Sequence, residues 1–202
     1  MPAAASASAP ATRSLDAATV AEAHAFFDRY GVSTATADRL LGEYEHGGTW
    51  LALTGSARPV STRSQDDGDA LATVSTYADG SIAVQRDEKA VDVSDPRLRG
   101  VSGCSKSGTA YSNCKAEMWF GLVAMSFRVS YNLQSGNNRV TSVYGATWSI
   151  GGSCSTKQQY FGRPNSKVAR LDVLAQMCVI PHSEIMWLQF SVGGNKTSLT
   201  MG

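Results

Sequence analysis

The chain has 202 residues, a formal net charge of +1, four cysteines and a hydrophobic fraction of 43%. That length holds one ordinary domain, or a small one attached to a larger one, and the apolar content is too high for wholesale disorder. Near-neutral charge, with Lys and Arg scattered, excludes nucleic acid as the main partner, and no apolar run approaches the roughly 18 residues that span a bilayer.

Residues 1–13, "MPAAASASAPATR", are rich in Ala, Ser and Pro and carry no apolar period. They read as a flexible tail. With no charged n-region and no h-region they are not an intact signal peptide. The expectation is a mature, secreted, extracellular chain whose leader has been removed, with Met1 added for expression. The competing reading is a cytosolic protein with a ragged start.

Residues 14–54 predict a helical hairpin. Ser14 suits an N-cap, and Val20, Ala23, Phe27 and Tyr30 recur at helical spacing before Gly31. Ser33 or Thr34 caps a second helix with Ala37, Leu40, Leu41 and Tyr44 on one face, ending at Gly47-Gly48. Trp50, Leu51 and Leu53 close its apolar side. Over residues 55–86 the period changes to two. "VSTRSQ", "ALATVSTY" and "SIAVQR" are separated by Asp67-Gly68 and Asp79-Gly80, which predicts a three-stranded meander. Residues 87–100, charged and containing Pro96, read as a linker.

Residues 101–202 read as an antiparallel β-sandwich, so the fold class is α+β and mainly β. One stripe is Trp119, Val123, Met125, Phe127, Val129 and Tyr131; a second is Val140, Tyr144, Ala146, Trp148 and Ile150. A third runs from Ala169 through Leu171, Val173, Ala175 and Met177 to Val179. Met186, Leu188, Phe190 and Val192 make a fourth, and Thr197, Leu199 and Met201 a fifth. Breaks fall at 135–138, 162–165, 181–183 and 193–195. Repeated strands with Gly, Pro and Asn turns and no intervening helix indicate a sandwich or barrel.

Cys104, Cys114, Cys154 and Cys178 all lie in this half. Four cysteines allow three pairings, and sequence does not choose among them. Local pairing, Cys104–Cys114 and Cys154–Cys178, is the simplest. Zinc sites want two close Cys pairs or Cys with His at short spacing, and neither CxxC nor HxxxH occurs. Nothing ties His24, His46 or His182 to a thiol. The cysteines read as clamps.

There is no P-loop, GxSxG, HExxH or EF-hand loop, and no cofactor is implied. "DDGD", Asp66 to Asp69, is too short a turn for a full set of calcium oxygens and reads as a solvated hairpin. A hydrolase would want paired carboxylates across a cleft; Glu117 and Glu184 each begin a strand and could converge, a minor reading. Asn195 opens an "NKT" pattern that carries little weight. Among the aromatics, Trp119 and Trp148 read as core. Trp187 is opposite in parity to Met186, Leu188 and Phe190, so it should face out beside Gln189 and Ser191. Tyr160 and Phe161 join Trp187 and Gln189 as the candidate binding surface.

A hairpin containing "FFDRYGV" and "GGTWLALTG", then "STYADGSIAV" and "GCSKSGTAYSNCKAEMWFGLVAMSF", resembles secreted actinobacterial proteins for which no activity is established. The resemblance covers most of residues 20–202. It implies secretion and a two-part layout, and carries over no catalytic residue. Three functions follow in order. The first is a secreted, non-enzymatic binding protein with an extracellular protein or cell-surface glycan as partner. The second is an extracellular hydrolase of cell-wall polymer, and the third a component of a secreted antagonism assembly.

Overall fold

A computed structural model describes residues 14–94, 102–178 and 183–202. The tail expected at 1–13, residues 95–100 of the expected linker, and Val179, Pro181 and His182 of the expected stripe and turn lie outside the described residues. The first helix, α1 (Ala17–Arg29), is capped by Asp16 rather than Ser14, its carboxylate accepting from the Thr19 amide at 2.9 Å. An acid there also meets the positive end of the helix dipole. Starting two residues later leaves Leu15 free to be buried just outside the cap. The link to α2 (Thr34–Glu45) turns on Gly31 at φ +73°, and Ser33 caps α2 by accepting from Thr36 at 3.2 Å.

After a short 3-10 turn at Leu51–Leu53 come β1 (Ser61–Asp66), β2 (Ala70–Thr76) and β3 (Ile82–Glu88). They are followed by β4 (Val91–Asp92), β5 (Ser105–Ser107), β6 (Ala110–Trp119), β7 (Val123–Asn132) and β8 (Arg139–Ile150). These eight strands form one sheet. Along one edge β6 pairs with β7; along the other it pairs with β3 near its end and β5 near its start. The meander is therefore continuous with the sandwich, through pairs running from Val84–Trp119 to Asp87–Ala116. Part of the expected linker is also ordered into strands, since Asp87 and Glu88 finish β3 and Val91–Asp92 pair with Ser105–Lys106.

The second sheet contains β9 (Ser153–Asn165), β10 (Val168–Met177), β11 (Ser183–Gly193) and β12 (Lys196–Met201), each antiparallel to the next. Its inner face presents Leu171, Val173, Leu188 and Phe190 to Val123, Met125, Phe127 and Val129 of the first sheet, all buried. The helices cover the other face of the first sheet. Phe26 meets Trp119 with centroids 4.5 Å apart, and the Tyr44 hydroxyl donates to the Gly151 carbonyl at 3.0 Å. Trp50 is fully buried, its indole donating to the Leu40 carbonyl at 2.7 Å. One core cluster runs through helices and both sheets. The fold is α+β, mainly β, with a sandwich of mostly antiparallel sheets.

Four further departures from the sequence reading concern the strands and their stripes. Trp119 faces the helices, because parity does not carry through the β6–β7 turn: Met118, not Trp119, is opposite Met125. That turn is tight at Gly121, φ +96°, where a Cβ would sit 3.1 Å from the Phe27 ring. Tyr144 leaves its stripe and is 44% exposed, since register shifts between β7 and β8 place it opposite Arg128. The break expected at Gly162 is a continuous strand, with the turn at Ser166-Lys167. Pro164 is tolerated there because β9 is an edge strand. Finally, β9 itself was invisible as a stripe, being mostly polar and exposed.

Cys104 is bonded to Cys114, and Cys154 to Cys178. Two disulfides fit an oxidising, extracellular compartment. Among the described residues no helix is long and apolar enough to cross a membrane.

Candidate functional site

The outer face of the second sheet is left open by the helices, which lie against the first. Strand register arranges its side chains in rows. Asp172 on β10 pairs with Tyr160 on β9 and with Trp187 on β11, so these three form one row across three strands. The adjacent row is Gly162, Arg170, Gln189 and Thr200. Antiparallel partners share a face, which is why residues distant in sequence meet here.

Glycines give the rings room. A Cβ on Gly162 would come within 3.2 Å of the Tyr160 hydroxyl, and one on Gly202 within 3.0 Å of the Trp187 indole. Arg170 ties the rows together. Its guanidinium lies 4.6 Å from the Trp187 ring centroid and donates to Asp172 at 2.6 Å. The stack is a cation–π contact, and the ion pair fixes the guanidinium that makes it. Tyr160 is 38% exposed and Trp187 half-buried, its indole also bordering a cleft against Tyr77 and Gln85 of the meander. Chemically, the face offers two aromatic surfaces with a cation, a carboxylate and an amide between and beside them. Such a set stacks on apolar ring faces and hydrogen-bonds hydroxyl or amide groups.

Three of the four candidate residues, Trp187, Tyr160 and Gln189, are thus brought together. Phe161 is not. It alternates with Tyr160 and turns inward, its ring 5.7 Å from that of Phe127. Arg170 and Asp172 were missed, although their signal was present: they alternate with Leu171 and Val173 and had to face outward. Which aromatic each would meet depends on register.

Elsewhere the charged residues serve the fold. Asp66 and Asp69 are solvated as expected, with side chains 70% and 74% exposed, but Asp67 between them is only 2% exposed. It accepts from the Tyr30 hydroxyl at 2.7 Å and pairs with Arg29 and Arg86. Burial alone would raise its pKa; the Tyr30 hydroxyl and both guanidiniums outweigh that and hold it below the ordinary 3.8. Glu117 is neutralised by Arg86 and Lys115 on the first sheet, whereas Glu184 lines a cavity at the end of the second. The two carboxylates weighed as a minor hydrolase reading do not share that cavity. His24 contacts Asp38 at 3.2 Å on the helical hairpin. No cluster of three or more metal-ligating side chains occurs among the described residues.

No family model, curated protein or solved structure matches this chain.

Proposed function

We propose that this is a secreted, non-enzymatic binding protein that engages an extracellular partner, a cell-surface glycan or a protein, through the outer face of its second sheet. The observation that carries the reading is the row Tyr160–Asp172–Trp187, reinforced by Arg170 stacked on the indole and Gln189 beside it. A half-buried Trp held by a guanidinium is a rigid anchor, since little side-chain freedom remains to be lost on binding. The two disulfides fit a protein that works outside the cell.

The test has two arms. In one, the protein is sedimented with insoluble polysaccharides, including chitin, cellulose and purified cell walls. In the other, it is used to capture proteins from culture medium, and the captured partner is identified and its affinity measured. Saturable binding should appear in one arm and weaken at least about tenfold in Trp187→Ala and in Tyr160→Ala, as at interface anchors. Binding unaltered by both substitutions, or absent from both arms, would remove the face from consideration.

A further inference from the structure

A cavity of about 440 Å³ lies between the loop that leaves α2 and the near end of the sandwich. Its apolar wall is built by Tyr44, Leu53, Phe120, Met177, Met186 and Met201. Five of these are less than a tenth exposed: Phe120 at 2%, Met186 at 7%, and Tyr44, Met177 and Met201 at 8%. They form the inner wall of a recess whose rim, Gly47, Gly48, Thr49 and Glu184, is exposed.

Apolar surface held in a recess gains free energy when a ligand of matching shape removes it from water. The inner wall offers water few partners, because the Tyr44 hydroxyl is already committed to the Gly151 carbonyl and the thioethers accept only weakly, while Thr49 and Glu184 stand at the exposed rim. The volume falls in the range of small-molecule sites. Three methionines give the wall flexible, polarisable surfaces that adapt to an irregular apolar ligand.

Two features narrow the ligand. The lining is long: Glu184 lies opposite Ala175, and Met201, opposite Leu188 and so level with Leu171, is four residues away along β10, a rise of roughly 13 Å. Its charge is one-sided: among the described residues that line it, Glu184, exposed at the rim, is the only one with a charged side chain. Burial, with Glu184 adding to it, pushes the Tyr44 phenol up to about 12, so it stays neutral. A carboxylate-headed chain would meet repulsion where an ammonium head would meet a partner.

We propose that this cavity binds a single-chain aliphatic amphiphile, its tail lying along Met186, Met201 and Phe120 and its cationic, amine-bearing head at Glu184. The site is distinct from the open sheet face and adds a small-molecule ligand to the binding role proposed above.

The experiment uses dodecylamine, dodecanol and dodecanoate below their micelle concentrations. It reads displacement of N-phenyl-1-naphthylamine from the full chain, together with native mass spectrometry. Dodecylamine should form a 1:1 complex and bind about fivefold or more tightly than dodecanoate, the scale of one partly exposed charge pair. Glu184→Gln should abolish that preference while dodecanol still binds. Met186→Trp should fill the cavity and abolish binding of all three; Leu53→Trp, at the more exposed rim, does the same should the first variant fail to fold. Absence of a 1:1 complex, equal binding of amine and carboxylate, or full binding by a folded filled variant would each overturn the proposal. Its failure leaves the Trp187 test untouched, since neither Glu184 nor Met186 belongs to that face.

Discussion

Asp67 concentrates the electrostatics of the molecule in one residue. A carboxylate 2% exposed is costly to bury unless it is paired, and here a phenol and two guanidiniums supply the pairing. Its pKa is held below the ordinary 3.8, so the folded state favours the ionised form. That contribution is complete above about pH 4 and is lost as pH falls through the depressed folded value. Asp67→Asn should therefore destabilise by about 2–3 kcal/mol at neutral pH, somewhat less than breaking a fully buried pair because Arg29 is partly solvated. Thermal melts from pH 7 to 2 should show the gap between wild type and variant closing below about pH 4. A gap that stays constant into acid would mean that shape, not charge, is what the variant loses. Trp187 and Trp50 offer the apolar counterpart. Trp50 is fully buried and satisfies the Leu40 carbonyl, so Trp50→Ala should cost about 3–5 kcal/mol. Trp187, half-buried on an open face, should cost about 1–2 kcal/mol when both variants are unfolded in urea. Equal losses would make Trp187 a core residue and undercut its role as a contact surface.

Each disulfide acts on an element that packs weakly by itself. Cys154–Cys178 fastens the start of the polar edge strand β9 to the end of β10, and Cys104–Cys114 fastens the short β5 to β6. Their sequence separations are 24 and 10. In the chain-entropy model each is worth about 3 kcal/mol, the longer loop exceeding the shorter by roughly 0.8 kcal/mol. Urea unfolding of the two Cys→Ser double variants should show that order. The reverse order would place the dominant effect in the native state. The same elements show what the sequence makes legible. The two helices and the Asp-Gly hairpins announce themselves because each buries one face and so must repeat with its own period. β9 does not, since an edge strand with most of its side chains in water needs no apolar stripe. Tyr144 and Trp119 were misassigned because bulges and turns reset parity, and neither leaves a compositional mark. The candidate face was half legible: parity sends Trp187, Gln189, Arg170 and Asp172 outward, but only register joins Tyr160 to Trp187.

At the scale of the whole molecule, the joints between its parts decide how it unfolds. β3 adds to the edge of β6 through four consecutive pairs, from Val84–Trp119 to Asp87–Ala116. The helical hairpin is bound to both halves. Phe26 packs on Trp119, the Tyr44 hydroxyl reaches the Gly151 carbonyl, and Arg39 donates to the Asp79 carbonyl. Among the described residues, one apolar cluster runs from these contacts into the sandwich interior. A core without an internal boundary gives no place for a stable intermediate, so the chain should unfold in a single transition. Calorimetry should give equal calorimetric and van't Hoff enthalpies. Residues 101–202 expressed alone would expose Trp119 and leave part of the β6 edge unpaired, an aggregation hazard. That fragment should be poorly soluble or lack a cooperative melt, and adding residues 14–94 in trans should restore both. Two resolved transitions, or a cooperative melt of the fragment by itself, would instead establish the helical hairpin and meander as a separate folding unit docked on an autonomous sandwich.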